Sequence, residues 1–290
     1  MTDSTAVRPY MLAFDFDTTL SFNDSGSVLA EILGVHGNEE KDAGLAVSSL
    51  VQQGGEPPYL IRHDPEFRGV RREQLAEAGR RVRLKGATQP LVDFLKKGTD
   101  DWRFSFYVIS TAPRDVVESA LAGIVAPDHI YATEFDFDPV SGEVRSVWRV
   151  AAGYGKVAAI EELERHLGVP GERIVYVGDG SSDVYEMLHE MLHEMLHEML
   201  HEMLHVNNRD GFTIAVSENG QLARIAKRTV LSDSAFSVLI PVLDQRFVWS
   251  SAELRALILT HRLMRSDWER ERTDRATVVT APTVIERAVA

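Results

Sequence analysis

Short apolar runs recur along the chain, each ending in polar residues and followed by a stretch of helical periodicity. Tyr10 to Phe16 reads as a buried strand that meets Asp15 and Asp17 at its end, and a polar loop over Thr18 to Asp24 follows. The spacing predicts a helix over Val28 to Leu33 with Gly34 as its cap. Gly54, Gly55, Pro57 and Pro58 predict a turn or loop. Glu66 to Leu84 has the pattern of a charged helix with solvated, Arg-rich faces. Leu91 to Lys97 is a further helix, stopped by Gly98. Phe104 to Ile109 is a second buried strand, with Ser110 and Thr111 beyond it and a helix from Arg114 to Leu121. Ile130 to Phe137 and Val144 to Val150 pair around a turn at Pro139 to Gly142. An amphipathic helix covers Lys156 to Leu167. Ile174 to Val177 is a third buried strand, running into Gly178-Asp179-Gly180. Thr213 to Val216 and Thr229 to Leu231 complete the set of strands. Glu253 to Met264 reads as a helix, and the charged stretch Asp267 to Arg275 as a solvated tail.

Strands alternating with helices predict an α/β fold on a mainly parallel sheet. Reactive groups in such sheets gather beyond the carboxyl ends of the strands. Three polar clusters fall at those ends: Asp15 with Asp17, Ser110 with Thr111, and Asp179 with Asp183. Their agreement is worth more than any one of them.

Composition narrows the picture. The 290 residues are 44% hydrophobic, enough for a large core in one domain or a domain with an insert. A net charge of −13 argues against a protein that grips nucleic acid. It leaves room for a small anionic substrate, which needs only one or two local cations. The absence of cysteine excludes disulfides and thiolate metal sites. The first residues carry no basic stretch leading into a long apolar run, and Val238 to Leu243 is far below the ~20 residues a membrane span needs. No membrane partner is expected, and a cytoplasmic location is.

Two carboxylates one residue apart at a strand end can turn toward a common site. One can attack phosphorus and bind a cation while the other donates a proton. An isolated Asp-x-Asp fits a turn or helix cap equally well. Asp179, between two glycines, suits a hard cation such as Mg²⁺, and Asp183 can orient its neighbours. Ser110 and Thr111 can bind phosphate oxygens, or simply cap a helix. Lys156, after Gly153-Tyr154-Gly155, can screen the charge of the nucleophile and phosphate. Taken alone, it reads better as a surface lysine.

Together the patterns DFDTT, VIST, Lys156 and GDGSSD resemble the four motifs of the haloacid dehalogenase superfamily, in order and spacing. The resemblance covers roughly Tyr10 to Leu243. It implies a Rossmann-like parallel sheet over residues 10–20 and 86–243, a small helical cap over 21–85 and a C-terminal extension over 244–290. The second acid, Asp17, makes a phosphatase the expected activity. The implied chemistry is attack by Asp15, proton transfer by Asp17, and Mg²⁺ held by Asp15, Asp179 and the backbone carbonyl of Asp17. Ser110, Thr111 and Lys156 would hold the phosphate, with Asp183 behind the metal. Within the superfamily the chain is similar to the phosphoserine phosphatase branch. That likeness implies a small phosphorylated metabolite, with Asp24 facing a substrate amino group and Arg80 a carboxylate. Asp24 stands where that branch carries Glu, and Thr111 where it carries Gly.

Glu186 to His205 is five copies of Glu-Met-Leu-His. The unit contains no helix breaker, so a repeat helix over 183–206 is expected. Four residues overshoot one turn by ~40°, so the Met-Leu stripe drifts around the helix and cannot face one core along its whole length. Sixteen residues beyond a single copy add ~24 Å of helix. The extension is expected to protrude, expose apolar surface and promote a homo-oligomer. Two rival readings follow: an oligomerising interaction protein whose repeat modulates or silences the enzyme, and a metal-binding module using histidines at i, i+4.

Overall fold

The computed structural model describes residues 8–36, 56–98, 102–152, 154–179, 201–217, 222–260 and 277–280. Its centre is one sheet of eight strands: β1 (Arg8–Phe14), β2 (Trp102–Pro113), β3 (Ile130–Phe137), β4 (Val144–Arg149), β5 (Ile174–Gly178), β6 (Phe212–Ala215), β7 (Arg228–Leu231) and β8 (Thr277–Thr280). They lie in the order β4-β3-β2-β1-β5-β6-β7-β8. The six inner strands are parallel, and β4 and β8 close the two edges antiparallel. This is the expected α/β Rossmann-like architecture.

The near-continuous apolar character of β1 follows from burial on both faces. Leu12 and Phe14 enter one core, while Met11 and Ala13 enter the other. Three helices cover the second face: α6 (Tyr154–Leu167), α7 (His201–Asn207) and α8 (Leu222–Ile225). They contribute Ile160, Leu163, Met203, Val206 and Leu222. The first face is covered by α4 (Thr88–Lys97), α5 (Arg114–Ala120) and α9 (Leu239–Phe247). The last of these runs through Asp244, and Phe247 packs its ring against Tyr10, Trp102 and Phe104. Beyond it lies α10 (Ser251–Thr260), whose Leu257 is buried in the same core.

Between β1 and α4 the chain inserts α1 (Ser25–Leu33), α2 (Glu56–His63), a 3₁₀ turn (Pro65–Phe67) and α3 (Arg72–Arg81). Gly34 ends α1 in the left-handed conformation, its N–H turned back to the carbonyls of Ala30 and Glu31. The two ends of the insert are tied together: the Phe22 N–H donates to Arg83 O at 2.8 Å, and the Lys85 N–H donates to Leu20 O at 2.8 Å. Helix α3 lies close against α5. Ser119 Oγ donates to Ala76 O at 2.6 Å, and Arg72 pairs with Asp115 at 3.1 Å. At Gly79 an added Cβ would sit 2.8 Å from the Ser119 Cβ and closer still to the Val116 carbonyl oxygen, so only glycine permits this approach.

Several expectations need correction. Pro57 and Pro58 belong to the first turn of α2, where a missing N–H costs nothing, rather than to a loop. The stretch from Glu66 to Leu84 is broken: the 3₁₀ turn precedes α3, which stops at Arg81. Strand β2 continues through Ser110 and Thr111 to Pro113, and α5 follows at once with Pro113 at its N-cap position. Neither hydroxyl residue is therefore a helix cap. The C-terminal helix is described over Ser251–Thr260, and the rest of its expected span, to Met264, lies outside the described residues. Residues 277–280 add an edge strand that the hydrophobic pattern did not announce. The first four repeat copies apart from His201, together with Asp183 and most of the expected 183–206 helix, lie outside the described residues, as does the tail over Asp267 to Arg275. Among the described residues, no helix is long and apolar enough to cross a membrane.

Candidate active site

Strand register builds the site. Phe14 lies opposite Val108 on β2 and Val177 on β5. The Asp15 N–H extends the ladder by donating to Val177 O at 2.9 Å. Asp15, Ser110 and Asp179 therefore emerge at the carboxyl ends of three adjacent parallel strands, although 164 positions of chain separate the first from the last (179 − 15).

Asp15 is held from two sides. Its Oδ1 accepts the Phe16 N–H at 2.7 Å, and its Oδ2 accepts from Lys156 Nζ at 2.5 Å. Lys156 sits in the first turn of α6 and is 7% exposed. The surface-lysine reading of the sequence is thus replaced by a buried ion pair. Burial alone would lower the Lys156 pKa, but Asp15, followed by Glu202, reverses this and holds it above its ordinary value. A buried pair of this kind is costly to break from either side.

Asp17 points toward the start of α1. Its Oδ1 accepts the Ser25 N–H at 2.9 Å and its Oδ2 accepts from Ser25 Oγ at 2.9 Å. Burial, then the nearby Asp24, raises the Asp17 carboxyl well above the ordinary range against the pull of Ser25. A raised proton affinity suits a carboxyl to proton donation. Between Asp17 and the insert, Thr18 adopts a left-handed backbone (φ 53°) and donates its hydroxyl to Asp179 Oδ2. Thr19 Oγ1 approaches Asp179 Oδ1 at 3.4 Å. Burial first, and Asp15 second, push Asp179 up to about 6.

The remaining candidates divide. Ser110 is fully buried, with its Oγ accepting the Ala112 N–H at 3.1 Å. Thr111 is half-buried in the same strand. Asp24 caps α1 by accepting the Ser27 N–H at 2.8 Å, yet stays near enough to Asp17 to raise it. Arg80 is drawn to the exposed face of α3, where its guanidinium is 2.7 Å from Glu77; its partner is Glu77, not a residue of this cluster. Asp183 lies outside the described residues.

Four further residues join the cluster. Ser25 fixes Asp17. Lys85, half-buried at the exit of the insert, has its pKa lowered by burial and raised in part by Asp179. Tyr176 on β5 is buried, and its hydroxyl is pushed up by burial and by Glu202, Asp15 and Asp179. Glu202 comes from the last repeat copy. Only Ser25 had a readable signal, as a hydroxyl at the polar start of a helix; the other three arrive through packing.

Among the described residues, no group of three His, Cys, Asp or Glu side chains is arranged to hold a metal ion. A magnesium site asks for less: one or two carboxylates, a carbonyl, waters and phosphate oxygens suffice. Asp15 and Asp179 are half-buried carboxylates, the first of which raises the proton affinity of the second, and they have the hard, all-oxygen chemistry that fits such an ion.

The haloacid dehalogenase-like hydrolase family model matches residues 12–189, which is more than half of the chain. No curated protein matches the sequence. Among solved structures, a substrate-bound phosphoserine phosphatase complex is similar at TM-score 0.57 and 17% identity, over 81% of this chain and 98% of that one. A gene product from Archaeoglobus fulgidus aligns at TM-score 0.59 and 15% identity, over 87% of each chain. A probable phosphoserine phosphatase from Vibrio cholerae aligns at 0.55 and 15%, over 77% of this chain and 60% of that one. At these identities the likeness is one of fold.

Proposed function

The chain belongs to the haloacid dehalogenase-like hydrolase family, and on that premise we propose that it hydrolyses phosphomonoesters through an aspartyl-phosphate at Asp15. The observation that carries this reading is an Asp15 ion-paired to Lys156 beside an Asp17 held by both the N–H and the hydroxyl of Ser25. Asp15 attacks phosphorus, an oxygen–phosphorus bond forms, and the bond to the leaving oxygen breaks. Asp17 delivers its proton to that oxygen. It then takes a proton from water, which attacks phosphorus and releases inorganic phosphate and free Asp15.

Lys156 offsets the charge of Asp15 and the incoming phosphoryl oxygens, with the Ser110 hydroxyl beside them. Asp183, expected behind the metal, lies outside the described residues, while Asp15, Asp179 and the Asp17 carbonyl would hold Mg²⁺ in this reading. When bound, it supplies positive charge that offsets the carboxylates and the phosphate. The substrate class is a small phosphorylated metabolite. A phosphoserine-like molecule is favoured by Asp24 beside Asp17, while the engagement of Arg80 with Glu77 weakens its share in that recognition. Burial of Glu202 and Met203 in the chain's own core counts against a repeat that serves assembly alone.

The test is Asp15→Asn. Hydrolysis of small phosphoesters should be lost while the chain stays folded by circular dichroism, with a lower Tm because Lys156 loses its partner, and chelation by EDTA should stop the parent until Mg²⁺ is restored. Parent-like turnover by Asp15→Asn would exclude the mechanism.

A further inference from the structure

At β4 the edge of the sheet resists strand addition but offers side chains. The insert covers its first part: the Val144 N–H donates to Val70 O at 2.8 Å, and the Arg72 N–H donates to Gly142 O at 3.0 Å. Beyond Val144, β4 has two residues more than β3 can pair. Phe137 and Asp136 lie opposite Val144 and Ser146, which leaves Arg145 over; Phe135 and Glu134 lie opposite Val147 and Arg149, which leaves Trp148 over. Bulges of this kind twist an edge away from further pairing and re-aim side chains. Here they coincide with a tryptophan that is 74% exposed.

Trp148 heads an apolar strip. Val150 is 41% exposed, and Tyr154, the first residue of α6, is 62% exposed. The start of α6 lies against Val150: a Cβ on Gly155 would come within 2.5 Å of the Val150 carbonyl oxygen. His201, which closes the fourth repeat copy, packs on Tyr154 with ring centroids 4.5 Å apart. The residues after it are anchored in the core, with Val206 buried and Asn207 Nδ2 donating to Ile225 O at 2.8 Å. Helix α7 is thereby fixed beside Tyr154 and leaves the rest of the strip uncovered. An exposed aromatic strip of this kind has the make-up of a protein-binding face.

The charges around the strip select the partner. Arg145 and Arg149 stand on either side of Trp148 along β4, while the exposed Glu161 and Glu162 lie two turns along α6 from Tyr154. Arg149 and Glu162 meet only loosely, at 3.5 Å, and both stay more than a third exposed. One border is therefore basic and the other acidic. A uniformly acidic partner is opposed by the two glutamates, and a uniformly basic one by the two arginines. A second copy of the same face, turned by 180°, sets acid against base at both borders and apolar against apolar between them. We propose that the Trp148–Val150–Tyr154 strip is a two-fold interface between two copies of this chain, with Arg149 of each copy set against Glu162 of the other. Neither the repeat nor the phosphatase reading is required for it.

Light scattering on the full chain across micromolar concentrations tests it. The parent should be a dimer or a larger species. Trp148→Ala should weaken the association about 30-fold, the low end for an aromatic hot spot. Arg149→Glu and Glu162→Arg should each weaken it at least about 10-fold, because like charges then face each other at both borders. Mixed in equal amounts, these two charge variants should associate again as a pair. Every contact between unlike copies then joins opposite charges, whereas the contact inside each copy remains like-charged, so recovery cannot come from the ion pair within one chain. A monomeric parent would overturn the proposal. So would an oligomer that all three variants leave intact, the behaviour of association through the repeat, or a mixture no more associated than its components. If Trp148→Ala does not fold, the charge variants and their mixture decide alone.

Discussion

Asp17 shows how one side chain can be given a role by its neighbours. Nothing in Asp-x-Asp separates nucleophile from proton donor; in the proposed mechanism the separation comes from Lys156 on one carboxylate and Ser25 on the other. Ser25→Ala removes the hydroxyl bond to Asp17 and leaves the N–H bond. Asp17 should become less well aligned and retain its proton more strongly. We expect kcat to fall about 10-fold, in the range that modest misplacement costs a proton-transfer group, with KM nearly unchanged in steady-state kinetics. An unchanged kcat would mean that the backbone N–H alone orients Asp17. The aspartates were legible as polar residues at a strand end, whereas Ser25 fell between the loop and the helix that the pattern marked. Their division of labour was not, because it depends on which groups three separate segments bring within 3 Å.

At the level of elements, two close contacts set the terms. Gly79 lets α3 approach α5, so Gly79→Ala opposes two effects. Alanine gains about 1 kcal/mol of helix propensity, but its Cβ meets backbone at Val116, and overpacking of this kind costs ~1–3 kcal/mol or more. Because the obstacle is backbone, the clash should win, with a lower denaturant midpoint and an insert more open to proteolysis. On the other face, α7 carries the mark of a copied sequence. Its His201 and His205 bury Nε2 atoms that have no hydrogen-bond partner. An unsatisfied buried group costs about 1–3 kcal/mol, so His205→Leu should raise stability by roughly 1 kcal/mol, read as an increase in Tm. Burial lowers the His205 pKa from its ordinary 6.5. The stability linked to its neutral form is complete above pH 6.5 and is lost as pH falls through the lowered value. The parent should therefore lose more Tm between pH 7 and pH 5 than His205→Leu does; parallel losses would show that His205 is not the group responsible.

For the whole molecule, the question is how many copies the fold requires. The anchor at Val206 and Asn207 needs only the copy joined to it, since Glu202 and Met203 fill the seat. A chain that keeps residues 202–205 and lacks the other four copies should be compact and at least as active as the parent. The parent should be the larger species in solution, because the drifting Met-Leu stripe of additional copies cannot be buried on one flat core. Each unit turns that stripe ~40° and shifts it ~6 Å, so forms with one, three and five copies should not grade smoothly. Light scattering and kcat/KM on the three forms check this. Three monomers with one kcat/KM would make the additional copies neutral.

What the sequence determined by itself was whatever is written in local pattern. Strands buried on both faces must be apolar throughout, so β1, β2 and β5 stood out, and polar residues at their ends marked the site. Helix caps such as Gly34 were equally plain. Tertiary structure decided the matters that depend on long-range encounter. It buried Lys156, a residue that reads as surface, because Asp15 lies 141 positions away and meets it only when β1 and α6 pack. It turned Arg80 to Glu77, since an exposed i, i+3 neighbour is the nearer carboxylate. It also buried the glutamate of the last copy, Glu202, because a repeat contains no information about register and the anchored residues after it do.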